Sequence, residues 1–590
     1  MNQYTIKILG LGMLASSTLA FSQIQEERLI LDKKRIPEVK KIEKKKTSVE
    51  SIKNYPPEEK SAVPVEYEIT NVPAASDFKT STIQGEDIAP QFDANFQKKY
   101  FRVGYGNYGR FLADGNISTV LENKMEVGAN VHYLSTQGLK KDYPWSSQQQ
   151  QGSVGAFLTS YGEQGKFNLD AEYQLNDYNY YGIYALQPAS SIDLTQKTHQ
   201  FQVNGYYDFY SNNLLNDIRV KSSFLGDHFK AKENQVSILG NFSKHAVELP
   251  IDEVTMNADL GVGVEYLTSN FSLLNQNNSK IFSTDFTPKV TFFKGESYLM
   301  LGSEISLFSG KYNGLQLANE ERNNRVYWFP RAEALYAASE KFKFYAGVDG
   351  GLKLNSYASM LQENPFLVSD QMIRPTETKY HFYFGMKGDI SENLKYDFNA
   401  GFSKVNHIMF YKANGLFDDI ATLNRSAYNF ANTFSAVYDN GKINSINGSV
   451  QYFPLANLVL EAEVNYTQYQ LDNYSKILNR PLLKGSLGAQ YTMLDKKLHL
   501  GFKGFLMGQR TTNTFSITES LVVPGNYTST EQANEKISAY ADFNLSAEYK
   551  VHKNFSIFAL GNNLTHQKYE RFKGYKVLGA QILGGVKITF

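Results

Sequence analysis

Along most of this chain, apolar and polar residues take turns. Phe167, Leu169, Ala171, Tyr173 and Leu175 alternate with Asn168, Asp170, Glu172 and Gln174. Leu458, Leu460, Ala462, Val464 and Tyr466 alternate with Glu461, Glu463, Asn465 and Thr467. Ala541, Phe543, Leu545, Ala547 and Tyr549 alternate with Asp542, Asn544, Ser546, Glu548 and Lys550. A period of two sends successive side chains to opposite faces of a β-strand, so each run has one apolar and one charged face. Ordinary strands hold about 5–6 residues, whereas these reach about ten or more, the length a tilted strand needs to cross a bilayer.

The connections between runs fall into two kinds. Gly162–Gly165, Lys294–Ser297, Ala338–Lys341, Ser391–Asn393, Pro454–Asn457, Asp495–Lys496 and His552–Asn554 are short. Ile183–Lys197, Gly310–Arg325, Tyr357–Thr376, Lys412–Asn432 and Thr511–Glu535 are long, and the two kinds alternate. Short periplasmic turns and long surface loops are the layout of an outer-membrane barrel. The predicted fold is therefore all-β: a closed antiparallel transmembrane β-barrel over residues 99–590. Counting from Tyr100–Gly109 to Ala580–Phe590, with Val437–Phe453 as one strand, gives about 22 strands, and an even number returns both ends to the periplasm. A closed barrel has no edge, so its last strand pairs with its first.

The N-terminus differs. Lys7, the apolar run Ile8–Ala15 and small residues near Ala20–Ser22 read as a secretory signal peptide over residues 1–22. Residues 23–98 are dense in Lys and Glu, including Lys44–Lys46, and read as a short, largely flexible periplasmic segment. Within it Val63, Val65, Tyr67, Ile69 and Val72 alternate with polar residues and are candidates to fill part of the lumen as an added strand. The charged stretch is a candidate contact for a periplasmic or outer-membrane partner protein.

Composition sharpens this picture. Tyr and Phe number 40 each, a strand-forming palette. Cys is absent, which removes disulfides, thiolate metal sites and lipid attachment at the cleavage site. A net charge of +1 gives no field for nucleic acid. Gly104–Gly109 fits G-x-G-x-x-G, but Arg110–Gly115 is not a helix whose N-terminus could face a pyrophosphate. The nine His show no metal-ligand spacing, and no H-E-x-x-H or G-x-S-x-G occurs. The carboxylates of Glu461, Glu463, Asp542 and Glu548 read as lining of a wet lumen. No catalytic, cofactor or metal site is expected. Trp145, Phe366, Phe417 and Tyr527, in the long loops, are the candidate ligand contacts.

The closing stretch Gly561–Glu570, with its Asn563-Leu564 and Tyr569, followed by Gly584–Phe590, resembles the end of TonB-dependent outer-membrane receptors. Phe434–Phe453 leading into Pro454 is similar to a late barrel strand of that family, and Phe101–Gly109 to a first strand. The resemblance implies location in the outer membrane of a Gram-negative bacterium, contact with its lipid, and delivery by the barrel-assembly machinery, which would read Val586, Ile588 and Phe590. It implies transport or ligand binding at the cell surface. The family carries a globular plug before its barrel, whereas residues 23–98 resemble no plug. The chain therefore resembles a plugless, Bacteroidetes-type member. The alternative is a non-transporting accessory subunit of an outer-membrane assembly or export complex.

Overall fold

The computed structural model describes residues 99–121, 124–210, 214–251, 253–315, 317, 320–418 and 425–590. The expected signal peptide 1–22 and the segment 23–98, with Val63, Val65, Tyr67, Ile69 and Val72, lie outside the described residues.

Twenty-two strands form one antiparallel sheet that closes on itself. The first strand, Tyr100–Gly106, pairs with Phe111–Leu121 on one side and with the last strand, Gln581–Thr589, on the other. Every barrel strand between them pairs with its neighbours along the chain. Two small hairpins lie outside the sheet, in loops: Arg510–Glu519 with Tyr527–Ile537, and Glu570–Phe572 with Tyr575–Lys576. The count from sequence holds, and Phe434–Leu455 is a single strand.

The first strand stops at Gly106, three residues before its expected end. Asn107–Gly109 form one 3-10 turn with Tyr108 at φ 57° and Gly109 at φ 60°. The glycines of the G-x-G-x-x-G match thus serve a strand and a tight turn. At the closing seam another glycine is needed for close approach. A Cβ on Gly585 would lie 2.2 Å from the Val103 carbonyl oxygen and 2.5 Å from the Phe558 ring.

Turns at one end hold two to five residues, and connections at the other hold four to 32. By the barrel rule the first end is periplasmic and the second extracellular. The expected long loop Gly310–Arg325 shortens to residues 314–320, because the strands Ser297–Asn313 and Glu321–Ala337 keep pairing up to Tyr312 opposite Glu321.

The apolar face of the alternation points outward. Leu169, Phe201, Ile238, Leu301, Phe384, Leu487, Leu545 and Ile588 are among many large apolar residues exposed on the outer wall. Soluble proteins rarely expose contiguous apolar patches beyond a few hundred Å², so this belt fits lipid. The polar face lines the bore. There Asp114 accepts from Arg102 Nε at 2.7 Å and also meets His132, binding the first three strands beside the seam. Glu461 accepts from Gln451 at 3.1 Å, Asp542 from Tyr569 at 2.8 Å, and Glu548 from Lys587 at 3.1 Å. Among the described residues no helix is long and apolar enough to cross a membrane.

Candidate functional site

The extracellular loops pack against one another over the bore. Loop residues Leu139, Tyr143, Tyr180, Tyr181, Ile183, Tyr357, Phe366, Leu367, Phe430, Phe572 and Tyr575 form one buried cluster with wall residues such as Tyr178 and Phe434. Phe366 stacks on Tyr575 with ring centroids 3.5 Å apart, and Tyr181 meets Tyr575 edge-on at 4.9 Å. Buried tyrosines need partners for their hydroxyls. Here those partners are backbone carbonyls of other loops: Tyr181 donates to Lys576 at 2.9 Å, and Tyr575 donates to Asn432. Asn432 Nδ2 in turn donates to Tyr180 at 2.7 Å. Each loop thus satisfies the polar groups of the next.

The segment 354–375 is the central strap. It begins with the only helix among the described residues, Tyr357–Glu363, capped by a reciprocal Ser356–Ser359 pair. A wall carboxylate adds to this cap. Glu233 accepts from the N–H groups of Tyr357 and Ala358 at 2.6 and 2.9 Å, and from Ser269 Oγ at 2.6 Å. A negative charge at a helix N-terminus complements its unsatisfied donors. The strap then crosses the bore. Tyr178 donates to the Pro365 carbonyl and Tyr180 to that of Leu367, at 2.5 and 2.7 Å. Val368 donates to Phe434 at 3.0 Å, and Ala436 donates to Gln371 Oε1 at 2.7 Å. Tyr178 and Phe434 sit on strands half the circumference apart, so one loop ties opposite walls together. Asp370 fixes a third side, accepting from the N–H groups of Asn275, Gln276 and Asn277 at 2.5, 3.0 and 3.1 Å.

Burial sets the electrostatics of this closure. It pushes the Tyr143 hydroxyl up to about 12 and raises Tyr180, Tyr181 and Tyr575 as well. Burial also raises the Asp370 carboxyl, while the three backbone donors pull the other way. The same burial lowers Arg571, a guanidinium within the closing hairpin.

The four loop candidates fall in two places. Phe366 is 2 % exposed, and Trp145 packs against the same cluster with Nε1 donating to the Tyr181 carbonyl at 2.8 Å. Phe417 and Tyr527 lie apart from it, Phe417 beside Tyr428 at 6.0 Å and Tyr527 under the Arg425 guanidinium at 5.6 Å. Val586 and Ile588 face outward opposite Val103 and Phe101, and Phe590 is exposed, its N–H donating to Lys99. Sequence reasoning missed Tyr178, Tyr180, Tyr181, Glu233 and Tyr575. The run Asp177-Tyr178-Asn179-Tyr180-Tyr181, where aromatics and amides replace aliphatic alternation, was the available signal.

A closed barrel of 22 antiparallel strands, belted with outward apolar residues and carrying short turns at one end and long loops at the other, is an outer-membrane barrel with the fold of the TonB-dependent receptors. It is similar to the ferric-catecholate import receptor Fiu from E. coli K12 in its closed form, at TM-score 0.59 and 12% identity over 84% of this chain and 82% of that one. It is similar also to the siderophore receptor PiuA from Acinetobacter baumannii, at TM-score 0.58 and 11% identity over 84% and 82% of the two chains. The pyoverdine receptor FpvA from Pseudomonas aeruginosa PAO1, bound to pyoverdine, matches at TM-score 0.58 and 12% identity over 85% and 79%. At such identities the likeness is one of fold. No family profile and no curated protein sequence matches the chain.

Proposed function

We infer that the protein is a receptor-like outer-membrane barrel taking part in transport or ligand binding at the cell surface, and that its outer mouth is shut at rest by its own loops. The observation that supports this most is the strap 354–375, hydrogen-bonded to walls half the circumference apart. Barrels of about 22 strands enclose a lumen that other members of the class keep plugged. Infolded loops supply a closure at the outer end, which suits a barrel without a separate globular plug of its own. Residues 23–98 are then free either to fill the lower bore through Val63–Val72 or to hold a partner protein.

Two deletions test the reading. Replacing residues 357–373 by a short turn is expected to admit a large glycopeptide antibiotic into cells. Removing Gln23–Lys98 distinguishes a lower plug, which would leak, from a tether, which would lose a co-purifying partner. Unchanged permeability after both deletions, with the barrel folded, would remove the closure role. A ferric catecholate, for which Fiu is an import receptor, and pyoverdine, which FpvA binds, are the first ligands to assay on the purified barrel.

The accessory-subunit reading has one observation in its favour. On the hairpin Arg510–Ile537, Leu521 is 101% exposed and Val522 88%, an apolar tip turned to the outside. A stoichiometric partner recovered from native outer membrane in mild detergent, with no bound ligand, would favour it.

A further inference from the structure

Behind the closing hairpin Glu570–Lys576 lies a cavity of about 50 Å³, lined among others by Arg110, Tyr181, Asp542, Asn562, Arg571 and Lys576. One water needs about 10–15 Å³ of such space, so this cavity holds about four waters or one small polyatomic ion. Its polar groups are out of balance. Arg571 Nε has no hydrogen-bond partner, and among the described residues no carboxylate is ion-paired with the Arg571 guanidinium. Among the described residues the Lys576 ammonium has no ion-pair partner either, although the backbone of that residue is held on both sides, its N–H donating to the Tyr143 hydroxyl at 3.2 Å and its carbonyl accepting from Tyr181 at 2.9 Å. The one carboxylate in the lining, Asp542, already accepts from the Tyr569 hydroxyl through Oδ2 at 2.8 Å. Arg571 and Lys576 are half-buried as residues, but Arg571 Nε itself is buried, and a buried cationic nitrogen is paired as a rule, because an unpaired one forfeits its hydration without return. An arginine does not shed its proton to escape that penalty. The lining therefore lacks an anion.

Two further atoms narrow the choice. Asn562 Oδ1 is a buried acceptor without a donor, and Asp542 Oδ1 has the Asn544 amide and the Asn563 N–H near it but neither in hydrogen-bonding geometry. A bare anion would leave both unsatisfied and would face the carboxylate directly. An oxyanion that still carries a proton accepts from Arg571 and Lys576 through its oxygens and donates its own O–H to Asp542 or Asn562. The geometry points to a site for a protonated oxyanion of phosphate size, hydrogen phosphate being the free form, held between the hairpin and the barrel wall. The site stands independently of cargo or transport. Its occupant joins Arg571 and Lys576 of the loop to Asp542 and Asn562 of the wall, so it would lock the hairpin down.

Inorganic phosphate, sulfate and chloride at matched ionic strength are the probes, added to the purified full chain in detergent at neutral pH. Calorimetry and protease resistance of the hairpin are the readouts. Phosphate is expected to bind and protect the hairpin. Sulfate, which brings no proton, is expected to bind roughly tenfold or more weakly. Arg571→Gln should weaken phosphate by a similar factor, and Lys576→Gln supplies a second test should the first variant fold poorly. Asp542→Asn should erase the preference for phosphate over sulfate. Equal effects of phosphate and sulfate on the wild type, or no effect of either beyond chloride, would overturn the proposal and leave water as the occupant.

Discussion

Replacing Phe366 by alanine removes the ring around which the closure is organised. That side chain is 2 % exposed, stacked on Tyr575 at 3.5 Å, and edge-on to Tyr178 and Tyr181 at 6.1 and 5.8 Å. Deleting a buried Phe costs about 3–5 kcal/mol where the neighbours cannot collapse into the space. The neighbours here are held by hydroxyl bonds to other loops, which limits that collapse. Barrel strands do not share the loss, since loops open locally at free energies below that of global unfolding. At about 1.4 kcal/mol per factor of ten, the open population of the strap should rise roughly a hundred- to several-thousand-fold. Hydrogen exchange followed by mass spectrometry reads this directly. Peptides within 354–375 should exchange faster by that factor, while peptides of Ser297–Asn313 stay protected. Wild-type exchange in the strap of a folded Phe366→Ala barrel would refute the claim that the aromatic cluster holds the mouth shut.

Other perturbations act on separate parts of the molecule. Gly585→Val places a Cβ against the Val103 carbonyl oxygen, which cannot move without parting the seam, so the folded fraction on heat-modifiable electrophoresis should fall sharply. Leu545→Arg puts a charge on the lipid face and should cost about 2–4 kcal/mol if it lies at mid-bilayer. The closure should also fail in alkali. Tyr143, Tyr180, Tyr181 and Tyr575 have hydroxyls raised by burial, so their contribution is complete below the unfolded value near 10 and is lost as pH rises through the folded values, for Tyr143 about 12. Arg571 works in the opposite sense but is a single group. Fluorescence of Trp145, in the cluster, should report opening above pH 10 before the strands melt, and a transition at neutral pH would contradict the assignment.

The barrel was legible because lipid enforces the alternation. Each outward position from Leu169 to Leu545 must be apolar, so period two survives over ten residues. The same logic explains where the sequence misled. Above the bilayer both faces of a strand can be polar, so Arg322, Asn323 and Asn324 lose the pattern while their ladder continues opposite Lys311, Gly310 and Ser309. The strap was visible as a long loop but its destination was not. Nothing local to Pro365 says that its carbonyl meets Tyr178, since that contact depends on how a ring of strands closes. Glu233 likewise reads as one more lumen carboxylate until the helix N-terminus arrives over it.

The first strand has seven residues and the strands Lys232–Glu248 and Val254–Asn270 have 17 each. At about 3.3 Å per residue and a tilt near 45°, those lengths rise ~16 and ~40 Å, against an apolar band of about 25 Å. The cylinder is thus cut obliquely: one flank stands clear of the headgroups while the other is too low to fill the hydrocarbon. Lipids beside Tyr100–Gly106 must pinch inward to meet it. The thinnest annulus of membrane therefore coincides with one of the most lightly laddered joints of the wall, seven paired positions holding the first strand to the last against 17 between Val254–Asn270 and Asn278–Lys294.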